Sequence, residues 1–342
     1  MTVKSEIRKL WETCFDDPEE FIDLYFRCRY SDDINMDIRK DGKVVSALQM
    51  IPYDMTFFSA TVGVSYISGA CTHPDYRKQG LMRQLLTETH RRMKADGILF
   101  STLIPAEDWL FHYYQVSGYA SVFKVAIEEL DLDLCFSDYE QNKLDKKYHL
   151  TCSKCSPEVF DYLNRIFRER PCCIQHSYAD FQDIISDLFL DKGLLQTVKL
   201  QGEIVGLVIA AYKGDDLLIK ELLFDNEEVK NALLTGVAMY FHTFRALWIK
   251  PDANADRAYG MARLLDVEKA YAIYAKANPR ENFSFYIAKD KDIPENEGSY
   301  IIGNGKVQHV HQDNPIGFPF TIEKATEYLF RKNMPYMSLM MD

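Results

Sequence analysis

The sequence is short of positive charge. Its 342 residues carry 40 lysines and arginines against 51 aspartates and glutamates, which gives a formal net charge of -11. A general nucleic-acid-binding surface needs an excess of basic groups to meet the phosphates, so this balance argues against such a function. An acidic surface suits cationic or amine-bearing small molecules, although it also serves solubility. We therefore predict no nucleic-acid partner.

Long apolar runs are missing as well. The opening stretch, MTVKSEIRKLWE, contains no apolar signal core, and no later stretch is long and apolar enough to span a bilayer. We therefore expect no membrane partner and a cytoplasmic location. In that compartment the eight cysteines would be reduced.

The cysteines offer little for a metal site. The sequence holds a single Cys-x-x-Cys pair, Cys152 and Cys155, and an adjacent pair, Cys172 and Cys173, close to His176. A zinc site from these residues is conceivable, but adjacent cysteines suit a tetrahedral site poorly and a second Cys-x-x-Cys is absent. The pattern favours small buried thiols, and we predict no metal.

The length predicts two or three domains, because 342 residues exceed one ordinary core. The first part of the chain reads as two amphipathic helices, several strands, a helix from Gln79 to Ala95, a strand at 98–105 and a short helix. GKVVSAL at 42–48 resembles GEIVGLV at 202–208, which suggests a duplicated fold. The last part reads as a small α+β domain, and its apolar tail, NMPYMSLMMD, is expected to dock on something.

The stretch CTHPDYRKQGLMRQLL follows one predicted strand and opens a strongly amphipathic helix. A helix N-terminus presents unpaired backbone N–H groups and a partial positive charge, which together attract phosphate. Arg77 and Lys78 would add charge there, and Gly80 would let the backbone approach a phosphate closely. An isolated R-x-x-G is more often a solvated basic turn. Its position between a strand and a helix favours a phosphate cradle instead.

The same residues carry a family resemblance. THPDYRKQGLMRQLL resembles motif A of the GCN5-related N-acetyltransferase (GNAT) superfamily, in which R/Q-x-x-G-x-G/A binds the pyrophosphate of acetyl-coenzyme A (acetyl-CoA). Arg77 and Gly80 match that pattern, whereas Met82 replaces its usual third small residue. YYQVSGY at 113–119 resembles the family's FY-x-x-x-G-F/Y segment, which assigns Tyr114 to the tyrosine that donates a proton to the departing thiolate.

The resemblance implies acetyl-CoA as co-substrate and no metal. It also implies a set of cofactor-binding residues in the strand, the turn and the helix start: Ala70, Cys71, Thr72, Arg77, Lys78, Gln79, Gly80, Leu81 and Met82.

RKQGLMRQLL is similar to the Eis-like (enhanced intracellular survival) branch of the superfamily. The fold implied is α/β (α+β), with tandem GNAT-like mixed sheets, flanking helices and a small C-terminal α+β domain. Residues 1–135 would be the catalytic GNAT domain that binds acetyl-CoA, and 136–250 a degenerate GNAT-like domain. Residues 251–342 would form a domain like sterol carrier protein, whose C-terminal tail docks toward the first domain. The branch tends to assemble, which is compatible with a homo-oligomer.

We expect one coenzyme site per chain, in the first domain. At the equivalent helix start of the second copy the sequence reads FDNEEVKN. Asp225, Glu227 and Glu228 suit a helix N-terminus, but they would repel a pyrophosphate.

The implied reaction is acetyl transfer to a primary amine of a small molecule or a lysine side chain, by direct attack in a ternary complex. Tyr114 would be the acid, and the terminal carboxylate of Asp342 would be the base. Glu107 and Asp108 are alternative carboxylates, with helix capping the more ordinary role for Asp108. Two other functions stay open: a non-enzymatic CoA- or lipid-binding regulatory protein, and a tandem-GNAT aminoacyl transferase, which would want a basic RNA-binding face.

Overall fold

A computed structural model describes residues 2–133, 148–252, 255 and 257–341. The first part of the chain contains α1 (Val3–Cys14), α2 (Glu19–Cys28), β1 (Asn35–Lys40), β2 (Lys43–Phe57), β3 (Ala60–Thr72), α3 (Leu81–Ala95), β4 (Phe100–Leu103), α4 (Asp108–Gln115) and β5 (Ala120–Asp131). The second contains β6 (Tyr148–Cys152), α5 (Pro157–Glu169), β7 (Cys172–Gln175), α6 (Tyr178–Leu190), β8 (Leu194–Leu200), β9 (Glu203–Lys213), β10 (Asp216–Phe224), α7 (Glu227–Phe241) and β11 (Arg245–Pro251). The third contains β12 (Ala258–Leu264), α8 (Val267–Ala277), β13 (Phe283–Ile287), β14 (Gly298–Gly303), β15 (Lys306–Val310), β16 (Phe318–Phe320) and α9 (Ile322–Phe330). None of these helices is long and apolar enough to cross a bilayer.

Across these residues, one large mixed sheet and one small sheet carry the fold. The large sheet has twelve strands in the order β1-β2-β3-β4-β12-β5-β11-β10-β9-β8-β6, and β7 pairs with the end of β2. The small sheet has the order β15-β14-β13-β16. The predicted fold class is therefore confirmed. The two halves of the large sheet are hydrogen-bonded to each other, because every residue of β11 is paired with a residue of β5.

The two halves repeat the same hairpin. In the first, the β1–β2 register shifts between Ile38, opposite Ser46, and Arg39, opposite Val44. In the second, the β8–β9 register shifts in the same way between Val198, opposite Gly206, and Lys199, opposite Ile204. A bulge is a specific local feature rather than a general property of hairpins. Its recurrence at matching positions supports the predicted duplication.

The third part of the chain contributes to the first half as well as forming its own sheet. Strand β12 lies between β4 and β5 and is antiparallel to both. Helices α8 and α9 then pack between the small sheet and the large one. Tyr271, Phe285 and Leu329 share a buried cluster with Phe57 and Phe100 of the first half. The third part of the chain therefore shares the large sheet and a core cluster with the first half, whereas the small sheet is formed by the third part alone.

Side chains cap the N-termini of six α-helices in the described ranges. The capping residues are Thr2, Ser156, Ser177, Asn226, Asp266 and Thr321. Each side-chain oxygen accepts a hydrogen bond from a first-turn N–H group that would otherwise lack a partner. No side chain caps α3, which follows Gly80.

Two buried histidines stay neutral at physiological pH. Nδ1 of His90, on α3, lies 2.8 Å from Oδ2 of Asp292, which ties that helix to the third part of the chain. Burial, followed by the charge of Arg263, lowers the pKa of His90 to about 4. Nε2 of His176 donates to the backbone oxygen of Ser338 at 3.0 Å, and burial lowers the pKa of His176 to about 4 as well.

We expect these histidines to make the fold acid-sensitive. An unfolded chain takes up protons at an ordinary histidine pKa of about 6.5, whereas the folded imidazoles bind none until about pH 4. The folded state binds fewer protons, so its stability is lost as the pH falls through that window, by on the order of 3 kcal/mol per histidine. Urea unfolding at about pH 7, 5.5 and 4.5 measures this loss.

A pair of single variants identifies the groups responsible. His176→Gln should lose less stability between about pH 7 and 4.5 than the wild type, because the variant lacks one of the two buried imidazoles whose pKa is lowered in the folded state. His149→Gln removes an exposed histidine and should follow the wild-type curve. Parallel curves for all three proteins would contradict the assignment.

Candidate active site

The start of α3 is open. Gly80 occupies the N-cap position with φ +76°, in the left-handed region that glycine adopts at little cost. A Cβ built on Gly80 would meet no atom within 4 Å. The backbone N–H groups of the first turn therefore face free space without a capping side chain. A phosphate could approach them closely.

Internal bonds hold the basic turn before α3. Nε of Arg77 donates to the backbone oxygen of Thr72 at 3.1 Å, so Arg77 folds back onto the end of β3. Nζ of Lys40 donates to Oε1 of Gln79 at 2.6 Å. Lys78 has φ +62° and is exposed, as are its three neighbours in the turn. The predicted phosphate-binding residues are thus brought together at one exposed corner.

Strands β3 and β4 separate before this turn, and we call this separation the splay. The two strands run parallel, and their registered pairs end at Tyr66 opposite Thr102. Beyond that point β3 continues to Thr72 and pairs with β2 on its other edge alone. The residues predicted to contact the cofactor, Ala70, Cys71 and Thr72, all lie in this splayed part. Its free edge can accept hydrogen bonds from an extended amide-bearing ligand, as an added strand would.

Tyr114 lies on α4, beside the splay. It packs in a buried cluster with Ile67 of β3 and Leu85 of α3, and Ala70 and Met82 lie at the edge of that cluster. None of the described side chains or backbone groups hydrogen-bonds its hydroxyl. Burial raises the pKa of Tyr114, so the phenol keeps its proton at any physiological pH.

A cavity of about 310 Å³ lies between the two halves of the large sheet. Its lining mixes carboxylates, ammonium groups and aromatic rings: Asp17, Asp187, Asp191, Lys124, Lys213, Lys220, Phe21, Phe123, Tyr212, Tyr259 and Tyr336. Residues 335–340 of the C-terminal tail form one wall. The sequence pattern singled out the tail as docked, and the structure places that tail against the cavity.

Comparison with known proteins identifies the first part of the chain. Residues 3–122 match the family model described as an acetyltransferase (GNAT) domain. The chain contains a GNAT domain. No curated protein sequence matches the chain.

Solved structures extend the likeness in fold beyond the GNAT domain. A GCN5-related N-acetyltransferase from Anabaena variabilis ATCC 29413 has a TM-score of 0.74 at 14% identity, over 97% of this chain and 96% of that one. Eis1 from Mycobacterium abscessus has a TM-score of 0.69 at 12% identity, over 95% of this chain and 86% of that one. A conserved protein from Enterococcus faecalis V583, described as a probable N-acyltransferase, has a TM-score of 0.70 at 15% identity, over 95% and 86%. The predicted Eis-like architecture is therefore confirmed as a fold.

The second half of the sheet lacks the open helix start of the GNAT domain. There β10 and β11 are also parallel, and their registered pairs end at Ile219 opposite Trp248. The following helix, α7, is closed, because Oδ1 of Asn226 accepts from the N–H group of Val229 at 3.0 Å. Glu227 and Glu228 add negative charge to that first turn. A phosphate would meet a capped and acidic N-terminus at this position.

Two of the three proposed carboxylates, Glu107 and Asp108, lie within the described residues. Asp342 lies outside the described residues, and the preceding Met341 is buried. Glu107 and Asp108 are exposed at the start of α4 of the GNAT domain, and Oε2 of Glu107 accepts from Nε1 of Trp109 at 2.9 Å. Neither side chain caps the helix, in contrast to the role expected for Asp108. Neither lines the cavity between the halves.

The cysteines of the possible zinc motif point to separate places. Cys172 and Cys173 are neighbours on β7, and their side chains enter two different core clusters. Cys152 is exposed on β6. Within the described ranges, no three histidine, cysteine or acidic side chains come together as a metal site would require.

Proposed function

We propose that the protein transfers an acetyl group from acetyl-CoA to a primary amine, using the GNAT domain. One observation carries the proposal: α3 begins uncapped directly after the splay of β3 and β4, whereas the equivalent helix of the second half is capped by Asn226. An uncapped helix start costs stability that a capping side chain would have supplied. An anion at that position offsets the cost, so the difference favours one coenzyme site, in the first half.

The residues at this corner fit the coenzyme, which supplies the acetyl group as an activated thioester. The first-turn N–H groups of α3, with Arg77 and Lys78, would hold the pyrophosphate. The free edge of residues 70–72 would pair with the pantetheine arm. Met82 departs from the family pattern, but its side chain packs against the cluster around Leu85. It therefore leaves the backbone of the first turn accessible.

Tyr114 is the proposed acid. Its hydroxyl is protonated and has no partner among the described residues, so it can donate a hydrogen bond to negative charge that develops on the leaving sulfur. The cluster around its ring fixes its position beside the splay.

The cavity between the halves is the proposed acceptor site. A neutral amine held there would attack directly in a ternary complex, and its proton would need a base. We propose Asp342 as that base, because the tail that precedes it forms a wall of the cavity. Three aspartates and three lysines line the cavity, so its charge does not select between small amines and lysine side chains.

The lipid-binding alternative finds no support in the interior of the third part. Tyr271, Tyr274, Phe285 and Tyr300 are fully buried there, and their rings pack against one another. A lipid chain would have to displace this core, which costs several kcal/mol per large side chain.

An assay of thiol release tests the proposal. The protein, acetyl-CoA and a panel of amines (a diamine, an aminoglycoside and a lysine peptide) should give free coenzyme A thiol at a rate that saturates with at least one amine. Mass spectrometry should show that amine heavier by one acetyl group. Tight acetyl-CoA binding without release for any amine would favour a regulatory protein that retains the coenzyme as a ligand. Failure to bind acetyl-CoA at all would overturn the proposal.

A further inference from the structure

A buried glutamate faces the C-terminal tail. Glu221, on β10, is 3% exposed. The hydroxyl of Tyr336 lies 2.7 and 2.6 Å from its two carboxylate oxygens, and Oγ of Ser338 donates to Oε2 at 2.7 Å. Burial raises the pKa of Glu221, and these hydroxyls and the charge of Arg170 oppose that rise. The tail is thus held by a carboxylate in the interior.

A bulge in β10 aims this glutamate at the tail. The β9–β10 register shifts between Ile219 and Glu221. Before the shift, Leu217 and Ile219 face the cluster beneath α7. After it, Leu223 faces the opposite cluster, which also contains Tyr336. Regular alternation would have placed Glu221 on the α7 face, so the bulge turns the carboxylate toward residues 336 and 338.

The other side of the tail is tied to β7 and its flanks. The N–H group of Tyr336 donates to the backbone oxygen of Cys172 at 2.7 Å, and the N–H group of Ile174 donates to the backbone oxygen of Tyr336 at 3.0 Å. The guanidinium of Arg170 lies 3.7 Å from the centre of the Tyr336 ring. These contacts, with the hydrogen bond from His176 to Ser338, fix the tail at Tyr336 and at Ser338.

The cost of the buried charge distinguishes this arrangement from ordinary packing. An apolar contact of the same size would anchor the tail at no desolvation cost, and replacing buried charges by apolar groups is often neutral or stabilising. Met337, Leu339 and Met341 already supply apolar contacts. The carboxylate adds a directional constraint on the tail, because the hydroxyls of Tyr336 and Ser338 must both reach carboxylate oxygens at fixed positions. Tyr336 and Ser338, which are fixed in this way, belong to the stretch 335–340 that forms a wall of the cavity between the halves.

We propose that Glu221 is a positioning residue for the acceptor cavity. Its carboxylate holds Tyr336 and Ser338, and through them it holds the tail in the conformation that shapes the cavity wall. Its effect on catalysis rests on the proposed acetyl transfer, whereas its effect on the tail does not.

Exposure of the tail to carboxypeptidase Y tests the structural half directly. In wild-type protein prepared to end at residue 342, trimming should stop before Ser338, because Tyr336 to Met341 are buried. Glu221→Gln keeps the shape but replaces one acceptor oxygen by a donor, so we expect trimming past Ser338 at least about tenfold faster. Glu203→Gln, the same change at an exposed position on β9, should match the wild type. Equal trimming of all three proteins would overturn the proposal.

The kinetic half separates positioning from general damage. For Glu221→Gln we expect the KM for the amine to rise by at least about tenfold, with the acetyl-CoA Kd within about twofold of wild type. A change in both constants, or in neither, would refute a positioning role. If Glu221→Gln fails to fold, Ser338→Ala removes one donor alone and should show the same pattern at about threefold. If the wild type transfers no acetyl group, the proposed function fails, while the trimming result still decides whether Glu221 holds the tail.

Discussion

Replacing Gly80 with glutamate should abolish acetyl-CoA binding, with the calorimetric Kd rising by at least about 100-fold, or about 2.7 kcal/mol. The new carboxylate would stand at the uncapped start of α3 and would occupy the space that the pyrophosphate needs. It would accept hydrogen bonds from the same first-turn N–H groups, and it would repel the anion. The fold should survive, because a Cβ at Gly80 meets no atom within 4 Å.

Two controls separate charge from backbone strain in that experiment. Gly80→Ala carries the same left-handed strain, about 1–2 kcal/mol, without a charge. It should bind acetyl-CoA far better than Gly80→Glu does. Gly202→Glu makes the matched change at an exposed turn with φ +94° and the same free space, away from the site. It should bind like the wild type. Equal weakening by alanine and glutamate at Gly80 would assign the loss to strain and remove the phosphate argument.

The corner proposed to bind phosphate could be located from the sequence, because its elements are continuous in sequence. The strand, the turn and the first turn of α3 lie within a few residues of one another. The glycine and the helical period of the sequence are therefore enough to predict their local arrangement. The duplicated hairpin was visible for the same reason, since Gly42 and Gly202 each begin a short strand pattern.

The full lining of the cavity between the halves could not be predicted in this way. Its walls include the α1–α2 turn, β5, α6, β9, β10, β11, β12 and the tail, which meet only after the two halves join through β5 and β11. Strand β12 poses the same problem, because its partners on β4 lie more than a hundred residues earlier in the chain. Local period predicts that such a segment is a strand, but pairing between distant segments depends on the assembled core.

The sequence indicates the role of Glu221 less clearly than it indicates the corner at the start of α3. In DLLIKELLF it stands among apolar residues at a position that alternation assigns to the interior. An acidic residue at such a position indicates a partner, because a buried charge without one is costly. The sequence could not reveal that the partner is the tail, or that a bulge turns the side chain toward it.

Tyr114→Phe should lower kcat for thiol release by about 100-fold while leaving the acetyl-CoA Kd unchanged. The substitution removes a hydroxyl that no described residue hydrogen-bonds, and the ring keeps its packing against Ile67 and Leu85. Stability should therefore stay within about 0.5 kcal/mol of wild type. The loss would then belong to the reaction itself, because only negative charge that develops on the leaving sulfur needs the missing proton.

The neighbouring tyrosine gives the matched control for that loss. Tyr113 lies one residue earlier on α4 and is half-buried. The centre of its ring lies 5.4 Å from the centre of the Tyr114 ring. Tyr113→Phe deletes the same atom from the same helix, so it should keep kcat within about twofold of wild type. Equal losses of kcat in the two variants would show that α4 tolerates neither change. The loss would then give no evidence that Tyr114 is the acid. Full activity in Tyr114→Phe would instead show that the leaving thiolate needs no proton donor from this helix.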